Sequence, residues 1–157
     1  MIIMIDPGHG GNDSGAVGPS GAKEKDINLA VAERLHLLMS ESGIEAYMTR
    51  IGDEEVSLAK RAEKANNISA DYFISIHCNA ANSPTAHGTE TYHYPGSVKG
   101  RALAQAVQQE LVSATGLADR GVKEANFYVL RMTAMPAILV ELAFLSNPEE
   151  ERLLATS

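Results

Sequence analysis

The chain has 157 residues, 45% of them hydrophobic, so it can bury one sizeable core and is too short for us to expect two domains. A net charge of −7 without any Lys/Arg run excludes the basic footprint that a phosphate backbone requires, and we expect no nucleic-acid partner. The single cysteine, Cys78, excludes an internal disulfide, and the apolar N-terminal stretch, which Asp6 interrupts, predicts neither a signal peptide nor a membrane span.

Apolar, β-rich runs alternate with helical patterns along the chain, which is typical of an α/β domain. We predict a single domain built on a twisted, mostly parallel sheet of about six strands, with helices on both faces. The predicted strands cover residues 2–5, 44–49, 72–77, 88–94, 126–130 and 137–142.

Four helices are predicted between and after these strands. Apolar residues at helical spacing indicate a first helix over about residues 25–42, which ends at Gly43. The other three begin at polar N-caps, and they follow Ser57, Ser97 and Asn147.

Four polar side chains stand at predicted strand ends or at a helix start. His9 follows the first strand in the Pro/Gly-rich loop 6–11, Glu24 begins the first helix, His77 ends the third strand and Glu141 ends the last one. Because the carboxyl ends of parallel strands meet at one edge of a sheet, these residues can lie together. Two imidazoles and a carboxylate suit a catalytic zinc with an open position for water, and the remaining carboxylate can serve as a base.

Each of these residues also has a structural explanation. His9 could bond a backbone carbonyl, His77 could be a satisfied strand-edge histidine, and Glu24 could simply favour the positive end of a helix dipole. Glu141 differs because it lies in the apolar run 137–145, where a carboxylate is costly to bury without compensation. A functional role is therefore favoured for Glu141.

Cys78 directly follows His77 in the sequence. Neighbouring residues of an extended segment point to opposite faces, so both side chains are not expected to address one site. We predict a small core residue at this position. A hydrolase with a cysteine nucleophile stays open as an alternative function.

Six sequence blocks, in this order, connect the chain to a known family. They are Asp6-Pro7-Gly8-His9-Gly10-Gly11, Glu24-Lys25-Asp26-Ile27-Asn28-Leu29, Met48-Thr49-Arg50, Ser75-Ile76-His77-Cys78-Asn79-Ala80, Gly88-Thr89-Glu90-Thr91 and Val140-Glu141-Leu142-Ala143-Phe144-Leu145-Ser146-Asn147. With these blocks the chain resembles, from residue 2 to about 150, the catalytic domain of zinc-dependent N-acetylmuramoyl-L-alanine amidases. This type-3 amidase family includes bacterial autolysins, sporulation amidases and phage endolysins.

The resemblance implies a reaction and a set of residues. His9, Glu24 and His77 would bind Zn²⁺, and Glu141 would be the catalytic glutamate. The reaction implied is hydrolysis of the amide bond between N-acetylmuramic acid and L-alanine in peptidoglycan, so the expected partner is a muramyl peptide and the expected place of action is the bacterial cell wall. A catalytically silent peptidoglycan-binding or regulatory module of the same fold is the alternative, against which the retention of all four residues argues.

The resemblance also suggests two substrate-binding residues and a domain boundary. Asn79 and Arg131 would lie near the substrate groove, where Arg131 could hold a stem-peptide carboxylate. Members of the family usually continue with one further C-terminal helix, and we expect a catalytic domain over residues 1–157 in which that helix is cut short. We favour a monomer and expect no membrane partner.

Overall fold

The computed structural model describes residues 1–156 and contains six strands and five helices. In chain order these elements are β1 (Ile2–Pro7), α1 (Glu24–Glu41), β2 (Glu45–Met48), α2 (Leu58–Asn67), β3 (Tyr72–Asn79), β4 (Thr89–His93), α3 (Val98–Thr115), β5 (Asp119–Glu124), α4 (Tyr128–Arg131), β6 (Ala137–Phe144) and α5 (Pro148–Ala155). The described residues include no helix that is long and apolar enough to cross a membrane.

All six strands form one sheet, in the order β2-β1-β3-β6-β4-β5. Each neighbouring pair is parallel except β4 and β6, which run antiparallel. This arrangement confirms the predicted single, mostly parallel sheet. Strand β5 lies at one edge.

Helices cover both faces of the sheet, as predicted. Alternate residues of β6 pack against the helices on opposite faces of the sheet. Ile138 and Val140 pack in the cluster that contains Ala32 of α1 and Ala104 of α3. Ala137 and Leu139, on alternate positions, pack instead with residues of α2 and α4. We call these two sides of the sheet the α1/α3 face and the α2/α4 face.

Three of the four predicted helix starts are confirmed by capping hydrogen bonds. Ser57 accepts a hydrogen bond from the Lys60 N–H, and Ser97 accepts one from the Gly100 N–H. Asn147 accepts bonds from two backbone N–H groups at the start of α5, whose first residue is a proline. These side chains satisfy N–H groups that have no partner within the helix.

The strand predicted over residues 126–130 is wrong. This segment contains the short helix α4, and Val129 and Leu130 are both buried on the α2/α4 face. A short apolar run does not distinguish a buried turn of helix from a strand. The actual fifth strand, β5, escaped prediction because it is an edge strand with a polar sequence, Asp-Arg-Gly-Val-Lys-Glu.

Three strands extend beyond their predicted ends. Strand β1 continues through Pro7, β3 through Asn79 and β6 through Phe144. His77 and Glu141 therefore lie within strands, directly opposite each other in the β3–β6 register.

Candidate metal and catalytic site

Three side chains that are far apart in the sequence meet at the end of the central strands. Oε1 of Glu24 lies 3.1 Å from Nε2 of His9 and 3.0 Å from Nδ1 of His77. One ligand atom from each of the three residues lies within 4.8 Å of the others. We call this group the His-Glu-His cluster.

The ring of His9 is oriented by a second carboxylate. Its Nδ1 lies 2.8 Å from Oδ2 of Asp13, which leaves Nε2 directed at Glu24. A carboxylate behind a histidine ligand fixes the ring orientation and the tautomer at many metal sites. The hydrogen bond with Glu24, against the opposing effect of burial, raises the pKa of His9 to about 9.

Two buried arginines hold the loop that carries His9. Arg50 donates from Nε to the Pro7 carbonyl and from Nη2 to the Gly8 carbonyl, each over 3.0 Å. Arg61 donates from Nη1 to the Pro7 carbonyl over 2.7 Å and from Nη2 to the His9 carbonyl over 2.8 Å. These bonds support the backbone of His9, whose φ of 61° is uncommon for a residue other than glycine.

The buried carboxylate of Asp6 completes this support. It accepts hydrogen bonds from Arg61, Thr49 and Ser75 over 2.9, 2.6 and 2.7 Å. The ion pair between Asp6 and Arg61 is buried, and both carboxylate oxygens of Asp6 accept hydrogen bonds, so neither is left without a partner.

Glu24 is the first residue of α1 and is buried. Besides the two imidazoles, its carboxylate accepts bonds from the Ala16 and Cys78 N–H groups over 2.8 and 3.0 Å. Burial alone would raise its pKa, but the hydrogen bonds with His77 and His9 outweigh burial and hold that pKa well below its usual range. The carboxylate is therefore charged and available as a ligand.

The ring of His77 packs against Gly8. A Cβ atom on Gly8 would fall on the imidazole, so only glycine lets the ring occupy this position. The Gly8 N–H also bonds the Ile76 carbonyl over 3.0 Å, which ties the His9 loop to β3.

Glu141 lies beside His77 on the α2/α4 face of β6. Its Oε2 atom is buried and has no hydrogen-bond partner within residues 1–156. Burial raises the pKa of Glu141 to about 7, and the nearby charge of Glu24 adds to the increase. Such a carboxyl can gain and lose a proton near neutral pH.

A further buried carboxylate, Glu90 of β4, stands opposite Glu141 in the β4–β6 register. Burial would raise the pKa of Glu90, but its hydrogen bonds outweigh burial and lower that pKa to about 2. Its hydrogen-bond donors are the side chains of Asn79, Tyr92, Arg120 and Lys123. Glu90 was not among the predicted site residues, although it lies in the family block 88–91 and alternates with two threonines in the sequence.

The two predicted substrate-binding residues have different surroundings. Asn79 is two residues beyond His77 on the same strand and donates to Oε1 of Glu90 over 2.8 Å. Arg131 ends α4, is exposed and donates to Oδ1 of Asn126 over 2.7 Å. Arg131 therefore belongs to a helix and does not follow the strand we expected, and its role stays a prediction.

Cys78 is buried on the opposite side of β3 from His77. It packs with Ile27, Leu145 and Leu154, and burial raises the pKa of its thiol strongly. A raised thiol pKa removes the thiolate that a nucleophile requires. The geometry thus disfavours the cysteine-hydrolase alternative.

A cleft of about 490 Å³ opens over His9, His77 and Glu141. Its other wall is largely apolar and includes Phe127 and Tyr128. The cleft therefore has an apolar wall opposite two imidazoles and the carboxyl of Glu141.

Comparison with known proteins gives a consistent result. The model of a protein family described as N-acetylmuramoyl-L-alanine amidase matches residues 3–157. The chain is 42% identical over 150 residues to the N-acetylmuramoyl-L-alanine amidase LytC of Bacillus subtilis, covering 94% of this chain and 30% of that protein. It is 45% identical over 151 residues to the uncharacterized protein YqiI of the same organism, covering 94% of this chain and 72% of the relative.

A solved structure has a closely similar fold. The N-acetylmuramoyl-L-alanine amidase from Clostridium difficile 630 superposes with a TM-score of 0.95 at 44% identity, covering 98% of this chain and 85% of the other.

Proposed function

Because the chain belongs to the N-acetylmuramoyl-L-alanine amidase family, we propose that it hydrolyses the amide bond between N-acetylmuramic acid and L-alanine in peptidoglycan, using a zinc ion. The observation that carries this proposal is the His-Glu-His cluster beside the unpartnered carboxyl of Glu141. Its place of action would be the bacterial cell wall. The chain spans 30% of the length of LytC, so the proposal concerns the domain described here.

The donor set of the cluster fits zinc. Two imidazole nitrogens and one carboxylate oxygen form a common protein ligand set of catalytic zinc sites, which leave a further position open. The ligand atoms are already within 4.8 Å of one another, and Asp13 fixes the ring of His9 from behind. We propose His9 Nε2, His77 Nδ1 and Glu24 Oε1 as the ligands. A bound zinc supplies Lewis acidity toward a carbonyl oxygen and makes water more acidic.

Glu141 would act first as a general base and then as a general acid. Its unpartnered Oε2 can accept a proton from the water that attacks the scissile carbonyl. As the C–N bond breaks, the same carboxyl returns this proton to the nitrogen of L-alanine, so the products are a carboxylic acid and an amine. A pKa of about 7 allows both steps near neutral pH.

The test identifies the bond that is cut. Purified peptidoglycan is digested with the zinc-loaded protein, new amino termini are labelled, and reducing sugar ends are assayed in the same samples. We expect labelled alanine to increase with time while reducing ends stay constant. A chelator should abolish the increase, and added zinc should restore it.

Other outcomes would contradict the proposal. Rising reducing ends would indicate a glycosidase, which needs two carboxylates flanking a sugar. A labelled terminus other than alanine would indicate an endopeptidase. Binding to the wall without any cleavage by the zinc-loaded protein would indicate a silent binding module.

A further inference from the structure

A row of charged side chains runs from the His-Glu-His cluster toward the edge of the sheet. His77 lies opposite Glu141, and Glu141 lies opposite Glu90. Directly opposed residues of neighbouring strands point to the same face. Beyond Glu90, on edge strand β5, Arg120 and Lys123 close the row by contacting the Glu90 carboxylate.

At the outer end of this row, two cations contact one carboxylate. Arg120 donates from Nε to Oε2 of Glu90 over 2.9 Å, and Lys123 pairs with the same oxygen. Within the described residues, neither cation has an ion pair with any other carboxylate. Two cations thus share one carboxylate, while the neighbouring Asp119 and Glu124 bond other groups.

Both cations are held in place yet accessible. Their side chains are 38% and 40% exposed, whereas that of Glu90 is 4% exposed. The Arg120 guanidinium lies 4.8 Å from the centre of the Phe144 ring and donates from Nη1 to the His87 carbonyl over 3.3 Å. A buried carboxylate therefore fixes two cationic groups whose outer sides face solvent, an arrangement suited to a second carboxylate from a ligand.

The spacing of the strands sets the distance of this pair from the reacting bond. Neighbouring strands lie roughly 4.8 Å apart, and β5 is two strands from β6, so the pair lies on the order of 10 Å from Glu141 along the row. An extended peptide advances roughly 3.3–3.6 Å per residue. The cations can therefore reach a group about three residues from the scissile amide.

We propose that Arg120 and Lys123 form a subsite for a carboxylate of the substrate's peptide, about three residues beyond the bond that is cut. This inference rests on the proposed function. It assigns the peptide, and not the glycan, to the β5 side of the site. The carboxyl of the muramic acid is consumed in the scissile amide, whereas the peptide ends in a carboxylate. In a chain of net charge −7, this pair would favour an acidic group that most of the surface disfavours.

The experiment compares two substrates that differ in one charge. N-acetylmuramoyl tripeptides with neutral side chains are prepared with a C-terminal carboxylate or a C-terminal carboxamide. For the zinc-loaded protein we expect kcat/KM to be roughly three- to tenfold higher for the carboxylate, mainly through KM, as for partly exposed charge pairs. This preference should decline with added salt.

Variants test whether Arg120 and Lys123 cause the preference for the carboxylate substrate. R120Q and K123Q should each bring the ratio of kcat/KM for the two substrates toward one, and K123R should preserve it. Lys99 is the matched control because it is exposed at the start of α3, near the opposite ends of the strands. K99Q should keep the wild-type ratio. A wild-type ratio of one, or a ratio that R120Q and K123Q leave unchanged, would overturn the subsite.

Failure of the subsite can be distinguished from failure of the proposed function. The peptidoglycan digest tests the proposed function, and the two tripeptides test the subsite. If the wild-type protein hydrolyses neither tripeptide, binding replaces turnover as the measurement of the subsite. Dissociation constants of the same two tripeptides are then measured on the zinc-loaded E141Q variant. Tighter binding of the carboxylate, lost in the double variant E141Q/K123Q, would support the subsite, and equal or undetectable binding of both tripeptides would refute it.

Discussion

Gly8 allows the backbone to approach the His77 ring closely, because that ring occupies the space that a Cβ atom would need. We expect Gly8→Ala to displace the ring and weaken zinc binding by roughly 10- to 100-fold, a loss typical of disturbed ligand orientation. Overpacking should also cost about 1–3 kcal/mol of stability. Zinc titration followed by calorimetry measures the first effect, and urea denaturation measures the second.

Gly52 provides the matched control for this substitution. A Cβ atom at Gly52 would meet no heavy atom within 4 Å, and its φ is not in the left-handed region. Gly52→Ala should therefore leave zinc affinity unchanged. Equal affinities of the Gly8→Ala variant and the wild type would show that the ring does not depend on this contact.

Glu141→Gln tests the proton-transfer role of this residue. An amide cannot accept the proton of water, so turnover should fall by roughly 10²- to 10⁴-fold while zinc content stays at the wild-type level. Glu149→Gln, at an exposed glutamate of α5, is the control and should keep wild-type turnover. Near-wild-type turnover of the Glu141→Gln protein would exclude Glu141 as the base.

The raised pKa of Glu141 also predicts a pH effect on stability. The folded metal-free protein keeps this carboxyl protonated up to about pH 7, whereas the unfolded chain ionises it above about pH 4.5. The contribution of Glu141 is therefore fully present below pH 4.5 and is lost as pH rises to about 7. Relative to Glu141→Gln, the metal-free wild type should lose on the order of 2–3 kcal/mol between pH 4.5 and pH 8.

Denaturation curves of both metal-free proteins at several pH values measure this difference. Other groups titrate in both proteins and cancel in the comparison to first order. A difference in stability that does not vary with pH would contradict the raised pKa.

At the scale of elements, helix α2 supports the site without contributing a zinc ligand. Its Arg61 pairs with Asp6 of β1 and donates to the carbonyls of Pro7 and His9. The helix itself is fixed at its start by the Ser57 cap. The position of the His9 loop is therefore set by a helix and a strand that are distant in the sequence.

Arg61→Lys tests this support. Lysine keeps the positive charge but lacks the planar fork that reaches four acceptors together, so buried carbonyls lose their donors. We expect a loss of about 2–4 kcal/mol in stability and weaker zinc binding. Arg101→Lys, at an exposed arginine of α3, is the control and should change neither quantity. Urea titration measures the free energy of unfolding, and calorimetry measures the zinc affinity. A zinc affinity equal to that of the wild type would show that α2 does not support the site.

At the scale of the whole molecule, zinc binding and folding should be coupled. The proposed ligands come from the loop after β1, from α1 and from β3, and only the folded chain brings them together. A ligand that binds only the folded state stabilises it by about 4 kcal/mol at a free concentration 1,000 times its Kd. We therefore expect zinc to raise the melting temperature and a chelator to reverse the increase.

Histidine variants check the origin of this stabilisation. His9→Ala should melt at the same temperature with and without zinc, because it removes one ligand. His87→Ala, at an exposed histidine outside the cluster, should keep the full zinc-dependent increase. An unchanged zinc response of His9→Ala would show that the metal binds elsewhere.

The sequence by itself determined the α/β class, most element boundaries and the helix caps. These features depend on local physics: the period of apolar residues selects helix or strand, and Ser57, Ser97 and Asn147 bond N–H groups only two or three residues away. His9, Glu24, His77 and Glu141 were also found as candidates from the sequence. His9 and His77 stand out as polar residues after apolar strands, Glu24 begins a predicted helix, and Glu141 lies within an apolar run.

The tertiary structure alone decided which side chains meet and which segments pair. The polar segment β5 is a strand only because β4 offers it hydrogen bonds at the sheet edge. The apolar segment of α4 forms a helical turn that packs on the α2/α4 face. The row from His77 through Glu141 and Glu90 to Arg120 depends on the strand order and register. Order and register arise from long-range pairing, whose energy comes from partners distant in the chain and leaves no periodic signal in the local sequence.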